Sequence, residues 1–126
     1  MSHYNVYTVK IANITEQMLR DAVQRLAKLE GLQVTDKITD YYDERHKIMI
    51  GLKGRGLAYG IGFNIVNGQL QICGDSYHSP SWSRIETAIQ QHLIAQKIAV
   101  NTRAQHANAR INFKTTQKAV LVEVEM

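Results

Sequence analysis

The sequence predicts an α+β fold, with a mainly antiparallel sheet of about six or seven strands and two helices packed on one face. Two stretches of apolar residues recur at helical spacing, after the cap signals Asn13 and Ser83. Strand-like segments surround and separate these stretches, which gives the order β-α-β-β-β-β-α-β-β. An Asn67-Gly68 pair marks a tight hairpin within them. Together these observations favour hairpin-connected strands over a parallel sheet.

Each predicted helix has start or stop signals. Asn13 with Glu16 forms a capping box before the first apolar stripe, and Gly31 is a natural C-terminal stop. Ser83 with Glu86 forms a second capping box, and that helix is predicted to run to about residue 100. The remaining turns are predicted near residues 43–44 and, in the last strand pair, near residues 115–117.

The Asn67-Gly68 turn sets a strand register that can be checked. A two-residue turn places Phe63 opposite Ile72, and Gly62 opposite Cys73. One face of the hairpin then carries the large apolar side chains, which are Tyr59, Ile61, Phe63, Ile65, Leu70 and Ile72. The other face carries Gly60, Gly62, Asn64, Gln69, Gln71 and Cys73. We therefore predict that the apolar face lies beneath the helices and that the polar face is available for binding.

Length and composition limit the classes of protein. The 126 residues suit a single domain spanning 1–126, with no internal repeat or flexible linker. The formal net charge of +4 permits contact with an anionic partner without requiring one. One cysteine, no apolar run of membrane-spanning length and no secretory signal lead us to expect a cytoplasmic protein with no membrane contact.

The glycine-rich stretch "GLKGRGLAYGIGFN" at residues 51–64 resembles a phosphate-binding loop only superficially. A phosphate loop joins a strand to a helix N-terminus, whereas these glycines run into a strand and its hairpin. Gly54 and Gly56 are predicted to allow a turn with positive φ. Gly60 and Gly62 would flatten a patch of the polar sheet face, where a partner's backbone could approach closely.

A catalytic site has little support in the sequence. Cys73, Asp75 and His78 are residue types that build nucleophilic or metal sites, but nothing in their spacing requires one. We expect a buried thiol instead, and no metal or cofactor. Tyr77 and Trp82 flank Pro80 in the following loop; Trp82 is expected to pack on the core, with a ring-stacking platform as the alternative.

The sequence therefore favours a non-enzymatic domain that binds another macromolecule, with a protein partner or a second copy (a homodimer) as the expected occupant. The predicted contact residues lie on the polar sheet face and its turn; they are Lys53, Arg55, Gly60, Gly62, Asn64 and Gln71. Nucleic-acid binding is the alternative, through Lys53, Arg55, Lys97, Arg103 and Arg110. A small enzyme using Cys73, Asp75 and His78 is the third possibility.

The chain also resembles a known family of small proteins. The similarity runs through "MSHY" and "VKI", then "LRDAVQRL", "YGIGFN", "SYHSPSW" and "IETAIQQHL", in that order along most of the chain. The family includes the product of the thirty-fifth hypothetical chloroplast reading frame of algal plastids and its cyanobacterial and other prokaryotic relatives. This sequence departs from the family pattern after the second helix, where "QHANARINF" replaces a "GF" step. The resemblance implies a compact soluble intracellular domain and brings no catalytic residue or cofactor.

Overall fold

A computed structural model describes residues 4–105, 110–115 and 120–125, and it describes side chains for residues 4–103. The predicted α+β class, antiparallel sheet and two helices are all present. In chain order the elements are β1 (Tyr4–Thr8), α1 (Glu16–Glu30), β2 (Gln33–Thr39), β3 (Arg45–Gly54), β4 (Leu57–Val66), β5 (Gln69–Asp75), α2 (Trp82–Gln105), β6 (Arg110–Thr115) and β7 (Val120–Glu125).

The main sheet is smaller than the predicted six or seven strands. Within the described residues, five strands form one antiparallel sheet in the order β1-β5-β4-β3-β2. Among the described residues, β6 and β7 pair with each other and with no strand of the main sheet, and β7 lies against α2. A hairpin pattern specifies its own pairing but not which sheet edge it joins, which is why the sequence overstated the sheet. The turn predicted at 115–117 lies mostly outside the described residues.

The β4–β5 hairpin has the predicted turn and register. Asn67 and Gly68 both have positive φ, at 53° and 74°, as a type I′ turn requires. Phe63 pairs with Ile72, and Gly62 pairs with Cys73. The side chains of Phe63 and Ile72 are fully buried. This buried pair anchors the face of the sheet on which the helices pack.

Both helices pack on that same sheet face. A single buried cluster joins apolar residues of α1 and α2 to those of β3, β4 and β5; its largest members are Leu19, Leu26, Ile50, Leu52, Ile61, Phe63, Leu70, Ile72, Ile85, Ile89 and Leu93. Tyr59 was predicted to extend this face, and that prediction is wrong. Gly60 has a φ of 85°, which interrupts the strand's alternation, and Tyr59 instead contacts Tyr41.

The predicted N-terminal caps are wrong, whereas the C-terminal stop of α1 is confirmed. Thr15, not Asn13, caps α1, because its side chain accepts a hydrogen bond from the Met18 N–H at 3.2 Å. Gly31 ends α1 in the left-handed conformation, with a φ of 66°. Helix α2 already begins at Trp82, so Ser83 lies inside it.

Glu86 has a tertiary role in place of the predicted capping one. Its carboxylate accepts hydrogen bonds from the Tyr7 hydroxyl of β1 and from the Trp82 indole N–H, the latter at 3.2 Å. Trp82 also packs against the core, as expected. Glu86 thereby ties the start of α2 to the edge strand β1.

Neither helix among the described residues has the length and apolar character needed to cross a lipid bilayer.

Candidate functional site

The glycines that were predicted to leave a flat, open patch are covered from within the chain. A Cβ atom added at Gly62 would lie 2.7 Å from Ile48 Cγ2 and 2.9 Å from Cys73 Sγ. A Cβ atom at Gly60 would lie 2.8 Å from Ile38 Cγ2. Ile38, Ile48 and Cys73 form a small second core on this face, and both glycines are buried beneath it. Their lack of a side chain serves packing inside the protein, not approach by a partner.

Asn64 and Gln71 also serve internal contacts. The Asn64 Oδ1 atom accepts a hydrogen bond from the Met49 N–H at 2.8 Å, and Asn64 Nδ2 lies 3.4 Å from Gln71 Oε1. Both residues are half-buried. Asn64 supports β3, whose pairing with β2 is irregular between Thr35 and Lys37.

The predicted basic residues do not form one patch. Lys53 and Arg55 are exposed around the β3–β4 turn, which is joined to the start of α2 by a hydrogen bond from the Ser81 N–H to the Gly56 carbonyl. Lys97 lies fifteen residues after Trp82, the first residue of α2, which is roughly 22 Å along the helix axis at 1.5 Å per residue. Its ammonium group donates to the Ala12 carbonyl at 2.7 Å.

The other two predicted basic residues, Arg103 and Arg110, add no positive charge that the structure describes near the β3–β4 turn. Arg103 is exposed in the last turn of α2, beyond Lys97. The side chain of Arg110 lies outside the described residues. A nucleic-acid footprint would need these charges along one face, which the described residues do not provide.

Cys73, Asp75 and His78 are not brought together as a reactive set. The thiol of Cys73 is buried, and this burial raises its pKa, which opposes formation of the nucleophilic thiolate. Both carboxylate oxygens of Asp75 accept backbone hydrogen bonds. His78 is exposed, and its ring lies against Tyr77 at a centroid distance of 3.9 Å.

The most distinctive feature of the exposed surface is a group of aromatic rings at one end of the sheet. We call Tyr41, Tyr42, Tyr59 and Tyr77 the tyrosine surface. Tyr41 lies at its centre, with ring centroids 5.4 Å from Tyr42, 6.5 Å from Tyr59 and 5.5 Å from Tyr77. All three pairs are edge-to-face, at interplanar angles of 77° to 88°. This is the favoured geometry for aromatic contacts.

These rings remain open to solvent although they contact one another. Tyr42 is 68% exposed, Tyr41 is 52% exposed and Tyr77 is 38% exposed. They come from three separate parts of the chain, namely the β2–β3 turn, β4 and the β5–α2 loop. The fold therefore assembles an aromatic surface that no single segment could present.

Two buried carboxylates hold the loops that carry these rings. Asp75 accepts a hydrogen bond from the Tyr41 N–H at 3.1 Å and another from the Tyr77 N–H at 3.0 Å. Asp40 accepts from the Tyr42 and Glu44 N–H groups at 2.8 and 3.1 Å, which closes the β2–β3 turn. Both carboxylates are buried, and their hydrogen bonds hold the backbone of Tyr41, Tyr42 and Tyr77.

Asp40 also joins the turn to β1 and β3 through His46. The His46 Nε2 atom lies 2.9 Å from Asp40 Oδ2, and this hydrogen bond holds the pKa of the Asp40 carboxyl below its usual range. The His46 ring stacks on Tyr4, with centroids 3.7 Å apart. The turn is therefore held to β3 and β1 by contacts within the chain.

The same turn contains the one group of metal-ligand types found among the described residues. Asp40, Glu44 and His46 present ligand atoms within 4.8 Å of one another. The spacing of the histidines gave no sign of it, because the chain reversal at residues 40–44 creates the proximity. Both Asp40 oxygens already accept hydrogen bonds within the turn, so the arrangement is accounted for as a turn-stabilising network.

The tyrosine surface was missed at the level of sequence, although part of its signal was visible. "DYYDE" places two tyrosines in a predicted turn, and "SYHSPSW" places another in a loop beside a proline. Tyr77 was considered there, together with Trp82, as a ring-stacking platform, whereas Tyr41 and Tyr42 were not considered. What the sequence could not supply is the contact between these two segments, which depends on the β2–β3 hairpin packing against β4 and β5 and on Asp75 reaching Tyr41.

The family resemblance described under Sequence analysis stays a prediction, because comparison with known proteins does not test it. No protein-family model, no curated protein and no solved structure matches this chain.

Proposed function

We propose that this chain is a non-catalytic domain that binds a protein partner, and that the tyrosine surface is the contact site. The observation that carries the proposal is the exposure of Tyr41, at the centre of a four-ring cluster, and of Tyr42 beside it. Contiguous exposed apolar area on a soluble domain is typical of an interaction site. Tyrosine is enriched among the residues that contribute most of the binding energy at protein interfaces.

The hydrogen bonds that hold the two tyrosine-bearing loops in place strengthen this proposal. A partner that binds mobile loops must order them, and that entropy cost reduces the affinity. Asp75 and Asp40 hold the backbone of both tyrosine-bearing loops before any partner arrives. A tyrosine ring also has few rotatable bonds, so little side-chain freedom is lost when it is covered.

This proposal changes the location of the predicted contact. The polar sheet face was the expected site, but Gly60 and Gly62 lie beneath Ile38 and Ile48. Self-association remains one form of the proposal, in which the tyrosine surface of one copy covers a second copy. It predicts a molecular mass that rises with protein concentration. The cytoplasm is the compartment that we propose, in keeping with the buried free thiol of Cys73.

The proposal is tested by selecting binders from a random-peptide display library on the immobilised full chain. Selected peptides are then measured against Tyr41→Ala and Tyr77→Ala. The matched control is Val66→Ala, which removes an exposed apolar side chain beside the β4–β5 turn. We expect peptides whose affinity falls about tenfold or more in the tyrosine variants, as hot-spot truncations give, and is unchanged in the control. Selected peptides whose affinity is unchanged in both tyrosine variants would contradict the proposal.

Nucleic-acid binding is the competing prediction, and it has a separate test. Binding that uses the basic residues must weaken steeply with salt, because phosphate contacts release counterions. The test is to titrate the original chain and the variants Lys53→Gln and Lys97→Gln with single- and double-stranded oligonucleotides at low salt. A response that is absent, or unaffected by both substitutions, removes this alternative.

A further inference from the structure

The two edges of the main sheet are built differently. Strand β2 forms one edge and strand β1 forms the other. An edge strand presents backbone N–H and C=O groups that can pair with a strand of another chain, and proteins commonly prevent this with charged side chains, proline or a bulge. Among the described residues, β2 has such protection and β1 does not.

The β2 edge is protected by a bulge and by charge. Its pairing with β3 is irregular between Thr35 and Lys37, which disturbs the backbone spacing that a further strand would need. The Thr35 hydroxyl donates to the Lys37 carbonyl at 2.9 Å and accepts from the Lys37 N–H at 3.2 Å. Asp36 and Lys37 are both exposed in this segment. Addition of another strand at β2 is therefore disfavoured.

The β1 edge has none of these features. Its sequence, YNVYT, contains no charged residue, no proline and no glycine. It pairs with β5 in one unbroken register from Tyr4 to Thr8. Apart from that ladder, no hydrogen bond joins the backbone of residues 4–8 to another described segment. Val6, at the centre of the strand, is 53% exposed. Strand β1 is thus a regular, uncharged edge.

The ladder with β5 shows which backbone groups of β1 point to the open edge. The Val9 N–H, which continues the register of β1, donates to the Leu70 carbonyl on the β5 side at 2.8 Å. Residues of an antiparallel strand direct their backbone groups alternately to one side and to the other. The N–H and C=O groups of Tyr4, Val6 and Thr8 therefore point away from β5, and they are placed symmetrically about Val6.

We infer that β1 pairs with β1 of a second copy of this chain, in antiparallel orientation and around a two-fold axis at Val6. Val6 then lies opposite the partner's Val6, and Tyr4 lies opposite the partner's Thr8. The pairing creates one continuous sheet with five strands from each copy. It uses the backbone of β1 and not the tyrosine surface, so it does not depend on the function proposed above.

A second copy fits this edge for two reasons. The outward backbone groups are self-complementary around Val6, and the two exposed valine side chains cover each other as a cross-strand pair. The chain has a formal net charge of +4, but its β1 strand is uncharged, so two copies meet there without like charges facing each other.

The same geometry limits the size of the assembly. A two-fold interface uses the same edge of both copies, which leaves β2 as the only edge of the main sheet at each end. Because β2 is protected, the assembly closes as a dimer and does not grow into a fibre. A pairing of five residues covers less area than a standard interface, so we expect the dimer to be weak and to form as the concentration rises.

The test is sedimentation equilibrium of the full chain over a wide range of concentration. We expect the original chain to change from monomer to dimer. Val6→Lys places two ammonium groups opposite each other and should raise the dimer dissociation constant about tenfold or more. Val6→Glu should do the same. An equal mixture of these two variants should associate more tightly than either alone, because opposite charges then face each other.

Two further variants serve as controls. Val34→Lys adds the same charge at an exposed valine of the protected edge β2 and should leave the dissociation constant unchanged. Tyr41→Ala should also leave it unchanged, because the tyrosine surface is not the contact. Circular dichroism checks that each variant is folded before its mass is measured.

Four results would overturn the inference. One is a chain that stays monomeric at every concentration, and another is a mixture of the Val6 variants that associates no better than each alone. A dimer that is lost in Tyr41→Ala and kept in Val6→Lys would place self-association at the tyrosine surface. A monomeric chain whose amide signals at residues 4–8 shift with a display-selected peptide would assign the edge to a strand of another protein.

Discussion

The buried carboxylate of Asp75 accepts a hydrogen bond from the backbone N–H of Tyr41, which lies thirty-four residues earlier in the chain, at 3.1 Å. The other oxygen of the same carboxylate accepts from the Tyr77 N–H at 3.0 Å. One side chain at the end of β5 thus joins two loops that are distant from each other in the sequence. The shape of the tyrosine surface depends on this link, so it can be tested through Asp75.

Replacing Asp75 by alanine is expected to loosen both loops. Two backbone N–H groups would lose their acceptor, and because Tyr41 and Tyr77 are exposed, water can partly replace it, so we expect a total cost of about 1–3 kcal/mol. Urea denaturation should show a loss in that range, and amide exchange should quicken at residues 41 and 77. The control, Asp36→Ala in β2, removes an exposed carboxylate and should change little. Unchanged exchange at both tyrosines would show that Asp75 does not hold them.

The core assignment predicts unequal losses for two residues that share the β4–β5 hairpin. Phe63 is fully buried, whereas Gln71 is half-buried on the other face. Phe63→Ala should lower the free energy of unfolding by about 3–5 kcal/mol, and Gln71→Ala by much less. Chemical denaturation of the two variants measures this directly. Similar losses would mean that the second sheet face is buried as deeply as the first.

Gly62 is predicted to resist substitution for an internal reason. An alanine Cβ there would lie 2.7 Å from Ile48 Cγ2, so Gly62→Ala should cost about 1–3 kcal/mol by overpacking. Ile48→Ala removes that methyl group, so the double variant should be more stable than the two separate losses imply. A double-mutant cycle in denaturant gives the coupling. Additive losses would show that Ile48 is not what excludes a side chain at Gly62.

Acid should destabilise the fold through His92. This histidine is buried on α2, its Nδ1 atom has no hydrogen-bond partner among the described residues, and burial with nearby Arg25 lowers its pKa to about 4. Because the unfolded chain binds the proton more readily, the stabilisation is complete above about pH 6.5. It decreases as the pH falls towards 4, by about 3 kcal/mol in all.

The variant His92→Leu separates this contribution from other acid effects. Its free energy of unfolding should fall less than that of the original chain between neutral pH and about pH 4, whatever its stability at neutral pH. Urea titrations at the two pH values supply the comparison. An equal fall in both proteins would assign the acid sensitivity to other groups.

Much of the sheet could be predicted from sequence because its strongest signals are local. The Asn67-Gly68 turn and the alternation around Phe63 independently select one register, and the structure has that register. The caps failed because several residues near a helix start can accept a hydrogen bond; Thr15 is two positions beyond the predicted Asn13. Choosing between them requires the path of the preceding chain, which a local pattern does not contain.

The binding site could not be predicted because it depends on contacts between distant segments. Gly60 and Gly62 were predicted to leave room for a partner's backbone. The sequence could not show that Ile38 of β2 and Ile48 of β3 fill that space. Likewise, Tyr41 and Tyr77 meet because the β2–β3 hairpin packs against β4 and β5 and its turn is bonded to Asp75 at the end of β5, which no local pattern contains.

The central claim is that the tyrosine surface is where a protein partner binds. The most direct test is to add a display-selected peptide to the nitrogen-15-labelled chain and to locate every amide signal that shifts. We expect shifts concentrated in residues 40–46, around Tyr59 and in residues 75–79. Shifts concentrated instead near Asn64 and Gln71, or along the second half of α2, would contradict it.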